Sequence, residues 1–190
     1  MPGPPRDRWH DFISVDDEAV NAIGGSAAFA VRKEVLQVFT GVTALRGIFA
    51  STFGHRVRIT HVNVDSSPNE PSRITGQVIS EILVKRDMVD ETGNVTAAAI
   101  ALLVDMLTTL CLVAQGAHLQ RSSDYVGVSQ SLQFVFHTSA PLGSTLRIDN
   151  TCISLGARAM SSRCEVWDAK ADRLICSAFH VKMAPSASKL

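Results

Sequence analysis

The chain reads as an α+β domain in which an antiparallel sheet wraps one long, central, buried helix. Three observations predict this. Val95 to Ala114 is a single continuous apolar segment framed by Gly93 and Gly116. Two strand-like segments precede it and four follow, separated by short turn clusters. Apolar alternation at period two marks the last strands, in Leu132, Phe134 and Phe136 and again in Phe179, Val181 and Met183. Strands, one helix, then strands is an α+β order, and 190 residues suit a single core.

Residues 16 to 40 place Val31, Val35, Leu36 and Phe39 at helical spacing, so one or two helices are expected, broken near Gly24-Gly25. Gly41 to Gly54 fits either a first strand or a loop. Val57, Ile59, Val62 and Val64 mark a strand closed by the cluster Ser66 to Pro71. Arg73 to Val84 is a second strand, and the two form a hairpin. The apolar segment is rich in Ala and Leu, both strong helix formers. Its length of about 30 Å would suit a membrane span, but Asp105 at its middle and Thr108-Thr109 point to a buried core helix, with Thr92 or Asn94 as its N-cap. A meander of four strands follows: Tyr125–His137, Ser144–Leu155, Met160–Asp168 and Arg173–Met183. The outer face of such a sheet needs cover, from the N-terminal helices or a second subunit. Three stretches result: an extension with helices over 1–54, the main domain over 55–183, and a flexible tail over 184–190.

Composition narrows the function classes. Lys+Arg 18 and Asp+Glu 18 cancel, which argues against a nucleic-acid partner that needs a basic face. With 46% hydrophobic and 19% charged residues the chain is not disordered. Cys111, Cys152, Cys164 and Cys176 form no C-x-x-C pair and no metal-ligand spacing, so reduced, buried thiols are expected. The N-terminus lacks the apolar stretch of a secretory signal. Ser188-Lys189-Leu190 matches a peroxisomal address read by an import receptor, and Pro185 among small residues would leave it exposed.

Asp105 is the residue most out of place. Its helical neighbours are Ala101, Leu102, Thr108 and Thr109. A carboxylate there is costly unless paired, hydrogen-bonded or protonated, so it is either a general base or a structural group bonded to a hydroxyl or to backbone at a subunit contact. The helix start is the second candidate. Amides from Val95 to Ala98 lack intrahelical partners and could meet an oxyanion. Ala97 and Asp105 lie about 12 Å apart along the helix, too far to act on one carbonyl within one subunit. Antiparallel helices in a two-fold dimer would bring them together. Ser129 could hydrogen-bond a carboxylate or a water. His137 and His180 read as structural or solvated strand residues, and Arg147, Arg158, Arg163 and Lys182 as a solvated basic face.

Gly93 before a small-residue helix containing Leu103-Val104-Asp105, then Gly127-Val128-Ser129 opening a strand, resembles the hot-dog acyl-CoA thioesterases. The likeness is to the phenylacetyl-CoA and 4-hydroxybenzoyl-CoA thioesterase-like branch, and it covers 55–183. Pro141-Leu142-Gly143 and the Leu174–Lys182 strand with His180 belong to it. The resemblance implies a homodimer or homotetramer that hydrolyses fatty or aromatic acyl-CoA without metal or organic cofactor. It implies Asp105 as general base or nucleophile, Ser129 supporting the water or the carboxylate, and the Ala97 amide of the partner subunit polarising the thioester carbonyl. The family's His-Gly-Gly is Thr96-Ala97-Ala98 here, and an Asn that commonly precedes it is Asp90, with Asn94 as a candidate substitute. Two other readings stay open: a catalytically weak hot-dog protein binding acyl-CoA or a partner protein, and a thioesterase for a polyketide-like acyl chain.

Overall fold

Residues 13–43, 52–67, 70–121 and 126–184 are described by the computed structural model. The long helix organises everything else. It runs Ala97–His118 (α3), and Leu103, Val104, Leu107, Cys111, Leu112, Val113 and Ala114 are completely buried along it. Six strands form one antiparallel sheet against it: β1 (Arg58–Ser67), β2 (Glu70–Leu83), β3 (Val128–Phe136), β4 (Thr145–Leu155), β5 (Ala159–Asp168) and β6 (Arg173–Met183). The helix is long and apolar enough to cross a membrane, yet it lies inside the protein. All four cysteines are free and buried.

Strand order across the sheet is β1-β2-β4-β5-β6-β3. The expected meander therefore holds only for β4-β5-β6. β3 lies at the far edge beside β6, and β4 pairs with β2. The reason lies in the 137–144 segment, whose turn residues looked like a hairpin loop. Its backbone is bonded to the helix start and to β2: Val95 N donates to Ala140 O at 2.8 Å, Leu142 N to Gly93 O at 2.9 Å and Gly143 N to Val84 O at 3.0 Å. The segment is a crossover that ties both ends of the sheet to the entrance of α3.

Two helices precede the sheet, α1 (Asp17–Asn21) and α2 (Phe29–Thr43). The break between them falls at the glycines as expected, with Gly25 at φ +109, where an L side chain is strained. Gly24 N donates to Thr60 O at 2.9 Å and Val62 N to Gly24 O at 2.9 Å, so this break is stitched onto the free edge of β1. α2 buries Val31, Val35 and Val38 at helical spacing and packs on α3. It does not cover the outer face of the sheet. Over β1, β2, β4 and β5 that face carries polar cross-strand pairs: Asn63 to Gln77 at 2.9 Å, Gln77 to Asp149 at 2.8 Å, and the Arg147 guanidinium over Trp167. Of the ambiguous Gly41 to Gly54 stretch, residues 41–43 end α2, and 44–51 lie outside the described residues, as do Pro68, Asn69, Tyr125 and the tail from 185.

Both ends of α3 differ from the expectation. Its N-cap is Thr96, whose hydroxyl accepts from Ala99 N at 3.1 Å. Thr92 and Asn94 sit in the turn before it. The helix passes through Gly116 and ends at Leu119, where Gln120 turns left-handed at φ 51. Midway, β2 approaches the helix so closely that a Cβ on Gly76 would lie 2.5 Å from Cys111 O and 2.8 Å from Gln115 N. Gly76→Ala must push the helix off the sheet, a form of overpacking that costs about 1–3 kcal/mol. Urea unfolding of the variant is expected to show an unfolding free energy lowered by about 1–3 kcal/mol, read as a lower midpoint with an unchanged slope.

Candidate active site

Asp105 projects from the third turn of α3, and Ser129 from the start of β3. The structure joins them: Ser129 Oγ donates to Asp105 Oδ1 at 2.7 Å. A hydroxyl held this way fixes the carboxylate's orientation and leaves its second oxygen free to accept a proton. The carboxylate is not sealed in the core, since the Asp105 side chain is 49% exposed. It opens onto a cavity of about 420 Å³ with mostly apolar walls, among them Phe39 and Val42 from α2 and Leu102, Met106 and Leu110 from α3. A larger groove of about 640 Å³ lies between α2 and β1 and shares Phe39 with it. The assignment of the site to the smaller cavity rests on its chemistry, because Asp105 faces only that one.

Two further polar residues reach this site from β6. Strand alternation turns Ala178, His180 and Lys182 inward and leaves Phe179 exposed on the outside. The apolar series Phe179, Val181, Met183 is thus the outer face, and the polar series is the inner one. His180 is completely buried and Lys182 is 5% exposed, so neither belongs to a solvated surface. His180 Nδ1 lies 2.6 Å from Thr108 Oγ1, and that hydroxyl donates to Val104 O at 2.6 Å. Which of the two donates in that contact is set by the tautomer of the ring. Among the described residues Nε2 has no hydrogen-bond partner, and it sits 3.7 Å from Asp105 Oδ1. Burial, then the Lys182 charge, pushes the His180 pKa down to about 4 against the pull of Asp105. Burial likewise lowers the Lys182 ammonium, opposed by Asp105. His180 is therefore a neutral imidazole at neutral pH, and Asp105 is the charged partner that Lys182 feels.

The start of α3 is the other sequence candidate. Val95 N and Thr96 N donate to Ala140 O and Met88 O, and Thr96 Oγ1 takes Ala99 N. Ala97 and Ala98, both exposed, keep the amides that lack an intrahelical acceptor. Asp90 accepts from Thr92 Oγ1 at 2.7 Å, Thr92 N at 2.9 Å and Asn94 N at 3.2 Å. These bonds, led by the Thr92 hydroxyl and the Asn94 amide, hold its carboxyl below the usual range. Asn94 Nδ2 in turn donates to Thr92 Oγ1 at 3.0 Å. Asp90 and Asn94 thus build the turn that presents Ala97, and within one subunit they do not meet Asp105. His137 pairs with Ser177 on the surface.

These elements match a known architecture. Residues 92–175 fit the family model of the thioesterase superfamily. The chain's fold, a sheet around a central helix, is the hot-dog fold, extended here by N-terminal helices. Thioesterase superfamily member 2 from Mus musculus superposes with a TM-score of 0.62 at 16% identity, covering 84% of this chain and 100% of that one. The PaaI protein of the E. coli phenylacetic acid degradation operon gives 0.57 at 12% identity, covering 80% and 97%. A hypothetical thioesterase protein from Streptococcus pneumoniae, solved with coenzyme A, gives 0.50 at 16%, covering 60% and 81%. No curated protein sequence matches the chain significantly.

Sequence reasoning singled out Asp105 and Ser129, which the structure joins by a hydrogen bond, but set His180 and Lys182 aside. The signal was the inward register of β6, hidden because its outer face is the more apolar one. The neutral His180 has a stability signature. An unfolded chain takes up its proton near pH 6.5, the folded one only near 4. Stability is therefore full above pH 6.5 and falls by up to about 3 kcal/mol as pH drops toward 4. Denaturant melts from pH 7 to 4 should show this loss in the native protein and a shallower slope in His180→Gln.

Proposed function

We propose that the protein is an acyl-CoA thioesterase acting on a fatty or aromatic acyl group. The observation that carries this reading is the Asp105–Ser129 hydrogen bond of 2.7 Å at the mouth of an apolar cavity, in a hot-dog fold that fits the thioesterase-superfamily model over residues 92–175. Coenzyme A as the carrier is supported by the Streptococcus pneumoniae neighbour solved with it. Water attacks the thioester carbonyl carbon and gives its proton to Asp105, while Ser129 holds the carboxylate in line. The carbonyl oxygen gains negative charge and takes a hydrogen bond from Ala97 of the partner subunit. Collapse breaks the carbon–sulfur bond, and the proton passes from Asp105 to the departing thiolate. Direct attack by Asp105, through an anhydride that water then opens, uses the same residues.

The second subunit enters because Ala97 and Asp105 of one chain lie about 12 Å apart on one helix. β3 supports a dimer: it is an edge strand, it bears Ser129, and Val128 and Val135 stand 62% and 58% exposed along it. Pairing of two such edges is isologous and sets two central helices side by side.

Two substitutions test the chemistry. Asp105→Asn removes the proton acceptor and is expected to lower kcat by a factor of about 10²–10⁴. Ala97→Pro deletes only the amide. Proline is well suited to a first helical position, and Thr96 before it already has the extended backbone that proline requires, with φ −75 and ψ 148. That variant should fold normally and lose about 10²–10³ in kcat. Both are read by thiol release from a series of acyl-CoA substrates. Full turnover in Asp105→Asn, or no turnover of any acyl-CoA by the native protein, rejects the reading.

We also propose a peroxisomal location through Ser188-Lys189-Leu190. A fluorescent fusion at the N-terminus is expected in puncta, turning cytosolic when Leu190 is deleted. Puncta that persist without Leu190 would reject it.

A further inference from the structure

The cavity beside Asp105 holds two polar groups that the hydrolytic reading leaves without a task. Lys182 is 5% exposed and lines the cavity, and among the described residues its ammonium makes no hydrogen bond and no ion pair. Thr109 is 6% exposed and lines the same cavity, and its hydroxyl has no bonded partner among the described residues. Buried lysines are rare unless paired, and a plain alkyl chain filling this cavity would strand both groups against hydrocarbon. Asp105 acts on the Lys182 ammonium through its charge, without a hydrogen bond between them, and the remaining walls are aliphatic, aromatic or thioether side chains.

Position says what would satisfy them. Lys182 is the cross-strand partner of Ser129 in the β3–β6 pairing, so it enters the cavity level with the Asp105–Ser129 pair. Thr109 follows Asp105 by four residues, one turn deeper, about 6 Å along α3. An acyl chain running from Asp105 toward Thr109 would pass both donors within its first few carbons beyond the reacting carbonyl. In the hydrolytic reading that carbonyl already has its donor, the Ala97 amide of the partner subunit. A second acceptor oxygen, at carbon 3, is the group this placement fits.

We propose that Lys182, assisted by Thr109, is the specificity determinant for an acyl group with a 3-oxo oxygen, so that the site takes 3-oxoacyl thioesters over their unsubstituted counterparts. This rests on the thioesterase reading, and it narrows the substrate class within it. The ammonium donates a charge-assisted hydrogen bond to the ketone oxygen, and the apolar walls take the rest of the chain.

The test is a binding measurement that does not depend on turnover. Full-length protein is titrated calorimetrically with carba(dethia)-coenzyme A analogues of 3-oxohexanoyl-CoA and hexanoyl-CoA, in which a methylene replaces the sulfur and hydrolysis cannot occur. The native protein is expected to favour the 3-oxo analogue by about 10- to 100-fold, the worth of one hydrogen bond to a charged group. In Lys182→Met, which keeps the length and removes the charge, the ratio should fall to about one. Thr109→Val should lower it in part, and it stands in if Lys182→Met fails to fold. Equal affinities in the native protein overturn the proposal. So does a Lys182→Met variant that keeps the native ratio or weakens both analogues alike, since the lysine would then serve the fold or the thioester carbonyl. Failure of the hydrolysis assay rejects the thioesterase reading and leaves this ratio to decide the ligand.

Discussion

The rest of the structure depends on one requirement: a 22-residue helix that is apolar on nearly every side must be enclosed on all of them. The inner face of a six-stranded sheet covers most of it, and α2 covers what the sheet leaves. This explains why the chain needs its N-terminal helices although they touch no outer sheet surface. It also explains Gly76, where β2 lies so close to the helix that a methyl group has no place. Once the helix is enclosed, its one carboxylate has few ways out. Asp105 emerges where α2, the β3 start and the end of β6 converge, and the site forms at that gap.

That gap carries the strongest conflict in the molecule between local pattern and global fold. A strand usually turns its apolar side chains to the core, yet β6 puts His180 and Lys182 inside and leaves Phe179 39% exposed. The inversion costs burial energy and is stabilised only by specific partners, His180 through Thr108 and Lys182 through the field of Asp105. Such violations are expected at functional sites. They also account for what the sequence could and could not tell. The central helix, the hairpin of β1 and β2 and the six strands follow from hydrophobic periodicity, which is a local property. Asp105 was legible because a charge in an apolar run is visible without a structure. His180 and Lys182 were not, because the face a strand presents depends on its register with neighbours.

Topology failed for a related reason. The residues 140–143 have turn chemistry, and turn chemistry says that the chain reverses without saying which strand it will meet. Three backbone hydrogen bonds from this segment to Val95, Gly93 and Val84 decide the matter. They send β4 to β2 and leave β3 as an edge. An edge strand bearing Ser129 and exposed valines is the surface that the proposed second subunit would pair with, so the crossover that fixes the fold also leaves this edge open.

The replacement of a glycine-rich helix start by Thr96-Ala97-Ala98 can now be weighed. A side chain at the first turn matters to catalysis only if it blocks or consumes the amides there. Thr96 consumes the Ala99 amide as a cap, and the crossover and Met88 consume those of Val95 and Thr96. Ala97 and Ala98 are exposed, and the turn built by Asp90, Thr92 and Asn94 holds them in place. The charge on Asp90 is spent on that turn, so its part in the proposed reaction is limited to the position of the backbone it supports. The departure therefore changes the shape of the entrance while keeping a donor there. Substrate selection, in the proposed reading, falls instead to the cavity wall that carries Lys182 and Thr109.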